Sequence, residues 1–172
     1  KETNNIIDAE IENINIFKKS KKLEMELKTK KQITIEEFES FERYLKTRFQ
    51  ISNISLNIDF DTKEDSPLLY QTIKDDWGNI VRYLSKKFPL TKAILDESGV
   101  EIKDNKVIVT LNTKNAEFLH AYEIDKEIEK VLSNVYGVKY KVKYAENVTE
   151  ETLKKQAEYL EKLEKKCMSR FN

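Results

Sequence analysis

At 172 residues the chain suits one ordinary domain or two small ones, and with 39% hydrophobic and 36% charged residues each core must be thin beneath a densely charged surface. Its 31 basic side chains balance 31 acidic ones, so the overall surplus of positive charge typical of proteins built to hold a phosphate backbone is missing. The single cysteine, Cys167, excludes an intrachain disulfide and a cysteine-based zinc site and fits a reducing cytoplasm.

Leu23, Met25 and Leu27 share one strand face while Glu24 and Glu26 take the other, the period of two of a half-buried strand. Upstream, Ile11, Asn13, Asn15 and Phe17 do not alternate cleanly while Ile14 and Ile16 do better, and Lys18-Lys19-Ser20-Lys21-Lys22 between the two segments predicts the turn of an antiparallel hairpin. Thr34-Ile35-Glu36-Glu37 is a capping box, in which Thr34 and Glu37 each satisfy a free backbone N–H at a helix start. Phe38, Phe41, Leu45 and Phe49 follow at spacings of three and four, predicting one apolar helix face. Ile54, Leu56, Ile58 and Phe60 then alternate as a strand. The polar, aperiodic stretch Asp61-Thr62-Lys63-Glu64-Asp65 reads as a linker.

Ser66 is placed to cap a helix with Pro67 at its first position, where a missing N–H costs nothing. Leu69, Ile73, Trp77, Ile80, Val81, Leu84 and Phe88 form its apolar stripe, and Pro89 ends it because the residue before a proline is pushed out of helical geometry. A short second helix carries Leu90, Ala93, Ile94 and Leu95 and stops at Gly99. Val100 and Ile102 begin a hairpin that turns at Asp104-Asn105 and returns through Val107, Val109 and Leu111. One continuous helix is predicted from Thr113 through Ala116, Leu119, Tyr122, Ile128, Val131, Leu132 and Val135 to Gly137. Val138, Tyr140, Val142 and Tyr144 make a last strand with Lys139, Lys141 and Lys143 opposite, and Thr149 caps a trailing helix.

The expected fold is therefore α+β. It comprises a strand-strand-helix-strand unit over 1–62, a KH-like helix-helix-strand-strand-helix-strand unit over 66–147, and a trailing helix or linker over 148–172. No internal sequence repeat is present, no apolar run approaches the roughly 20 residues that span a bilayer, and no signal peptide is visible. Because residue 1 is Lys, the chain is expected to begin inside a longer reading frame or to have lost disordered residues.

No catalytic constellation emerges from these elements. His120 is the only histidine, so no two-histidine metal site or histidine relay can be assembled, and its place beside Leu119 and Tyr122 fits an ordinary boundary residue. Asp75 and Asp76 are adjacent on a helix and point in different directions, whereas metal-assisted phosphoryl transfer needs converging carboxylates. Gly78, Gly99 and Gly137 are the only glycines, too few and too scattered for a phosphate-cradling loop or for the Gly-X-X-Gly clamp of KH domains.

Two lysine strips are candidate nucleic-acid contacts: Lys18, Lys19, Lys21 and Lys22 with Lys28, Lys30 and Lys31, and separately Lys139, Lys141 and Lys143. The leading reading of both is protection of exposed strands against edge-to-edge pairing, because no base-stacking aromatics interleave with the lysines. Trp77 sits in a helix stripe and reads as core. The elbow Phe88, Pro89 and Leu90 is the candidate partner-binding surface, since a proline break exposes flanking apolar side chains, although simple packing also explains it.

Several of these residues resemble the N-terminal region of the PolC-type, Gram-positive replicative DNA polymerase III alpha subunit. They are Asp75-Asp76-Trp77, Phe88-Pro89-Leu90, Lys103-Asp104-Asn105-Lys106-Val107-Ile108-Val109, and the helix ending Arg48-Phe49 before Ile54-Ser55-Leu56-Asn57-Ile58. The resemblance covers nearly the whole chain and implies a non-catalytic start to a large cytoplasmic enzyme of DNA replication. The parent chain would be a DNA-directed DNA polymerase with 3′–5′ exonuclease activity, using magnesium and other divalent metals in modules outside this segment. The second unit also resembles the KH-like N-terminal domain of the initiator DnaA and the polymerase-binding domain of the clamp-loader tau subunit. Those relatives are protein-docking modules lacking the Gly-X-X-Gly clamp. The resemblance thus implies docking to a replisome protein, with tau the leading partner, no cofactor in this segment, and DNA reached through the parent chain. A nucleic-acid-binding accessory role for the lysine strips is the alternative.

Overall fold

The computed structural model describes residues 9–60, 67–147 and 150–169. The expected linker at 61–65 and the expected caps Ser66 and Thr149 lie outside them.

The opening hairpin forms as β1 (Glu10–Phe17) and β2 (Lys22–Thr29), paired antiparallel with a bulge near Ile11 and Asn13. Leu23, Met25 and Leu27 are buried, while every residue of β1 is exposed. Ile14 and Ile16 pair with Met25 and Leu23, so they lie on the buried face of the sheet but beyond the reach of its cover. Helix α1 (Ile35–Phe49) starts with the capping box complete, Thr34 accepting from the Glu37 N–H and Glu37 accepting from the Thr34 N–H. Its buried face is Ile35, Phe38, Glu42 and Leu45; Phe49, expected on the apolar face, is exposed and Phe41 is half-buried. Strand β3 (Asn53–Phe60) then lies parallel to β2, with Leu56, Ile58 and Phe60 buried.

Helix α2 (Pro67–Lys87) buries Leu69, Ile73, Trp77, Ile80, Val81, Tyr83 and Leu84. Trp77 is core, and its indole N–H donates to the Ser98 hydroxyl at 3.0 Å. After the Pro89 elbow, α3 (Thr91–Leu95) is a single turn that buries Thr91 and Leu95, not the expected Leu90 and Ala93, which face solvent. Strands β4 (Gly99–Lys103) and β5 (Lys106–Leu111) form the second hairpin. Asp104 and Asn105 both have positive φ, 52° and 58°, as a two-residue hairpin turn that follows strand twist requires.

The long helix expected from 113 to 135 is instead two helices, α4 (Ala116–Ala121) and α5 (Ile124–Val131). They meet at Glu123, whose φ of 56° lies outside helical geometry. Across the break, His120 Nδ1 lies 3.2 Å from Asp125 Oδ2 at the start of α5, where a carboxylate also suits the helix dipole. Helix α5 runs into a wide π-helical turn, Leu132–Tyr136, that ends at Gly137 with φ 71°. Strand β6 (Lys141–Glu146) pairs parallel with β5, and the inward alternation of Val138, Tyr140 and Val142 starts before regular pairing does. Helix α6 (Glu150–Ser169) completes the order.

The architecture is α+β, with two three-stranded sheets ordered β1-β2-β3 and β4-β5-β6. Both follow one scheme: a hairpin, a helical crossover, and a third strand parallel to the second. Buried apolar residues from both sheets and from the helices between them form one connected cluster.

Two glycines give opposite expectations. A Cβ on Gly137 would lie 2.4 Å from the Phe60 ring in a backbone conformation that L residues avoid, whereas one on the exposed Gly78 of α2 meets nothing within 4 Å. We expect Gly137→Ala to lower unfolding stability by about 2 kcal/mol or more, through overpacking and left-handed strain. Gly78→Ala should raise it by about 0.5–1 kcal/mol through helix propensity. Urea unfolding checks both; equal effects would contradict the packing described at Phe60.

Candidate interaction surfaces

Strand β3 closes the first sheet on one side and faces the helices of the second half across a seam. A bare strand edge presents unpaired N–H and C=O groups. Here Asn134, buried in the π-helical turn, answers them: its Oδ1 accepts from the Ile58 N–H at 2.9 Å and its Nδ2 donates to the Leu56 C=O at 2.9 Å. The carboxamide thus pairs with residues 56 and 58 as one residue of a fourth, parallel strand would.

Asn134 also divides the seam into cavities. One, about 500 Å³, is lined by Ser52, by β3 residues 53–56 and by Phe88, Tyr83, Glu42, Lys46, Lys87 and Lys130, among others. A second, about 350 Å³, shares Lys130 and Asn134 and continues to Lys126, Glu129, Lys139 and Lys141. Because outward N–H and C=O groups recur every second residue of a strand, Ile54 presents its own toward the larger cavity.

One wall of that cavity is an ionic network. Glu42, on α1 but buried, accepts from the Tyr83 hydroxyl, and its other oxygen lies 3.0 Å from Lys87 Nζ. The Lys87 ammonium also sits 4.8 Å from the centre of the Tyr83 ring, and Lys86 pairs with Glu39 beside it. Burying a carboxylate is tolerable only with such partners. Burial, then the negative charge of Glu42, pushes the Tyr83 hydroxyl well above the usual tyrosine range. Tyr136 is raised likewise, first by burial and then by its hydrogen bond to Asp76 at 2.8 Å.

The elbow splits. Phe88 is half-buried and lines the large cavity, its C=O accepting from the Thr91 N–H and hydroxyl at 2.9 and 2.7 Å. Pro89 and Leu90 project to solvent, Leu90 67% exposed. Lys139, Lys141 and Lys143 are all exposed, and the first two line the second cavity. Phe88 from one candidate site and Lys139 and Lys141 from the other therefore line neighbouring cavities that share Lys130 and Asn134, while Pro89, Leu90 and Lys143 line neither. Asp75 and Asp76 do diverge, Asp75 to Gln71 at 2.9 Å and Asp76 to Tyr136. Sequence reasoning passed over Asn134, Glu42 and Tyr83; only Tyr83 carries a local signal, at the edge of the α2 stripe beside Leu84.

Register adds two further residues. Lys103 pairs with Lys106, and Lys106 pairs with Lys141, so three lysines stand in one row across the second sheet. Among the described residues no group of three or more His, Cys, Asp or Glu side chains is placed to hold a metal ion. No helix among the described residues is long and apolar enough to cross a membrane.

Comparison with known proteins gives two family matches that together cover most of the chain. The family described as DNA polymerase III polC-type N-terminus I matches residues 1–60, and that described as DNA polymerase III polC-type N-terminus II matches residues 75–170. A DNA polymerase III PolC-type protein of Clostridium perfringens is 27% identical over 127 residues, which is 72% of this chain and 9% of that protein's length. No solved structure matches.

The buried tyrosines predict an alkaline weakness. Unfolded, Tyr83 and Tyr136 ionise near pH 10; folded, both hold their protons to higher pH. Their contribution to stability is whole below pH about 10 and is lost as pH rises further, by up to about 1.4 kcal/mol per pH unit for each. We expect the urea midpoint to fall between about pH 9 and pH 11, less steeply in Tyr83→Phe. An equally steep fall in that variant would contradict the assignment.

Proposed function

Because the chain belongs to the PolC-type DNA polymerase III N-terminal family, we propose that it is a non-catalytic docking module that ties a cytoplasmic replicative polymerase to a replisome protein, the clamp-loader tau subunit being the partner. The observation that carries this reading is the large seam cavity, where an apolar elbow residue, an open stretch of strand edge and a surplus of lysines coincide. Such an edge takes an extended segment by strand addition, with backbone hydrogen bonds supplying affinity and side-chain pockets supplying selectivity.

Asn134 occupies the pairing position opposite Leu56 and Ile58 and leaves the stretch at Ile54 for a partner. Phe88 offers an apolar contact beside it. Lys22, Lys46, Lys87 and Lys130 outnumber Glu42 and Glu127 in the lining; Lys22, Lys87 and Lys130 pair with Glu24, Glu42 and Glu127, and Lys46, which pairs with no described residue, leaves a positive charge that suits an acidic segment. The division into units at 1–62 and 66–147, with a KH-like second unit, belongs to the same reading: the helix, helix, strand, strand, helix pair, strand order supports it.

The test is titration of the 172-residue chain with tau. We expect a complex that Phe88→Ala and Lys46→Glu each weaken about tenfold, an apolar anchor and a charge contact being lost in turn. Lys46 is half-buried at the cavity rim and one turn from Glu42, so the urea midpoints of both variants are measured alongside to separate lost contact from lost fold. Absence of a complex at tens of micromolar, or binding unchanged by both variants, would overturn the proposal.

A further inference from the structure

The solvent face of the second sheet is chemically unlike the rest of the surface. Strand pairing places nine residues on it: Gly99, Glu101 and Lys103 of β4; Lys106, Ile108 and Thr110 of β5; Lys141, Lys143 and Ala145 of β6. Their partners on the other face include the buried Val107, Val109 and Val142. Lys103, Lys106 and Lys141 are direct cross-strand neighbours, with Lys143 two residues further along β6 and Lys139 two residues before Lys141.

None of these five lysines makes an ion pair with a described residue. On the face itself Lys103, Lys106, Lys141 and Lys143 stand against Glu101 alone, with Asp104 in the turn, Glu146 at the end of β6 and Glu129 beside Lys139 and Lys141 at its margins, so the face keeps a positive surplus within a chain whose net charge is +0. Like charges directly opposite each other weaken strand pairing. Edge protection explains lysines on β4 and β6, but not Lys106 on the central strand, between two others. A bound polyanion relieves that repulsion.

We propose that this face binds the phosphate backbone of duplex DNA without regard to sequence. Adjacent strands lie about 4.8 Å apart and alternate residues about 6.6 Å apart, so the lysines form a flat grid roughly 10 Å across. A flat grid of flexible ammonium groups suits an array of phosphates. Single-strand sites combine basic grooves with aromatic platforms for unstacked bases. The nine outward positions hold no aromatic ring, while Tyr140 is buried and Tyr144 lies on the inward side. The duplex, with its bases already stacked, is the form that such a face recognises. None of these lysines lines the larger docking cavity, which this inference therefore does not use; Lys139 and Lys141 reach only the smaller cavity beside it.

The experiment is fluorescence anisotropy of labelled short DNA, duplex or single-stranded, with the 172-residue chain. Four neutralised phosphates predict about 100-fold weaker duplex binding on raising salt from about 50 to about 200 mM. The triple variant Lys103→Gln, Lys106→Gln, Lys141→Gln keeps its fold because all three side chains are exposed. It should bind at least about tenfold more weakly, with the log–log salt slope reduced by about 2.7. Lys18→Gln with Lys19→Gln, in the turn of the first hairpin, should change nothing. Salt-independent binding, an unaffected triple variant, or tighter binding to the single strand would each overturn the proposal.

Discussion

One carboxamide holds the seam of this protein together. Asn134 satisfies two backbone groups on the edge of β3 from a turn 76 and 78 residues away along the chain. An α-helix presents one stripe to a neighbour, whereas the π-helical turn buries Leu132, Asn134, Val135 and Tyr136 together. Leu132 and Val135 join the apolar core, Tyr136 reaches Asp76 on α2, and Asn134 turns to the first sheet. Gly137 then exits with positive φ, close against Phe60, where any larger residue would collide with the ring. Unpaired, the Leu56 C=O and Ile58 N–H would be orphaned in a buried strand, at a cost of about 1–3 kcal/mol each.

The same contact shapes the candidate surfaces. By taking one pairing position on β3 and leaving the next, Asn134 sets where the strand edge stays available. Around that opening stand Phe88 from the elbow, the Glu42–Tyr83–Lys87 network, and lysines from both halves. The two halves repeat one strand scheme without repeating sequence, and differ in what their outward surfaces carry. The first ends in an exposed strand with isoleucines on its inner face; the second displays a lysine grid.

Much of this was legible in local pattern because local chemistry decides it. The capping box at Thr34 and Glu37, the alternation of β2, β3 and β6, and the Asp104-Asn105 turn all depend on residues within a few positions of each other. The break at Glu123 was not legible, since neither glycine nor proline marks it and the apolar periodicity runs through it. Glu42 reads as a solvent-facing helix residue until Tyr83 and Lys87 arrive from another helix. Asn134 falls between apolar positions and gains its role only from β3. The lysine row needs strand register, which joins Lys103, Lys106 and Lys141 although Lys106 and Lys141 are far apart in sequence. The segments that suggested the family, from the α1–β3 region to the elbow and second hairpin, all fall within the matched ranges 1–60 and 75–170.

Amide hydrogen exchange at Ile58 reads whether Asn134 completes the edge of β3. An edge amide without a partner exchanges at the rate of local fraying, whereas one held by a buried carboxamide exchanges only when the seam opens. The Ile58 amide of the 172-residue chain is expected to be protected as strongly as the core amides of the central strand β2, and to lose that protection in Asn134→Ala. Rapid exchange of Ile58 in the unaltered chain, at the rate of the solvent-exposed amides of the β1–β2 turn, would contradict it.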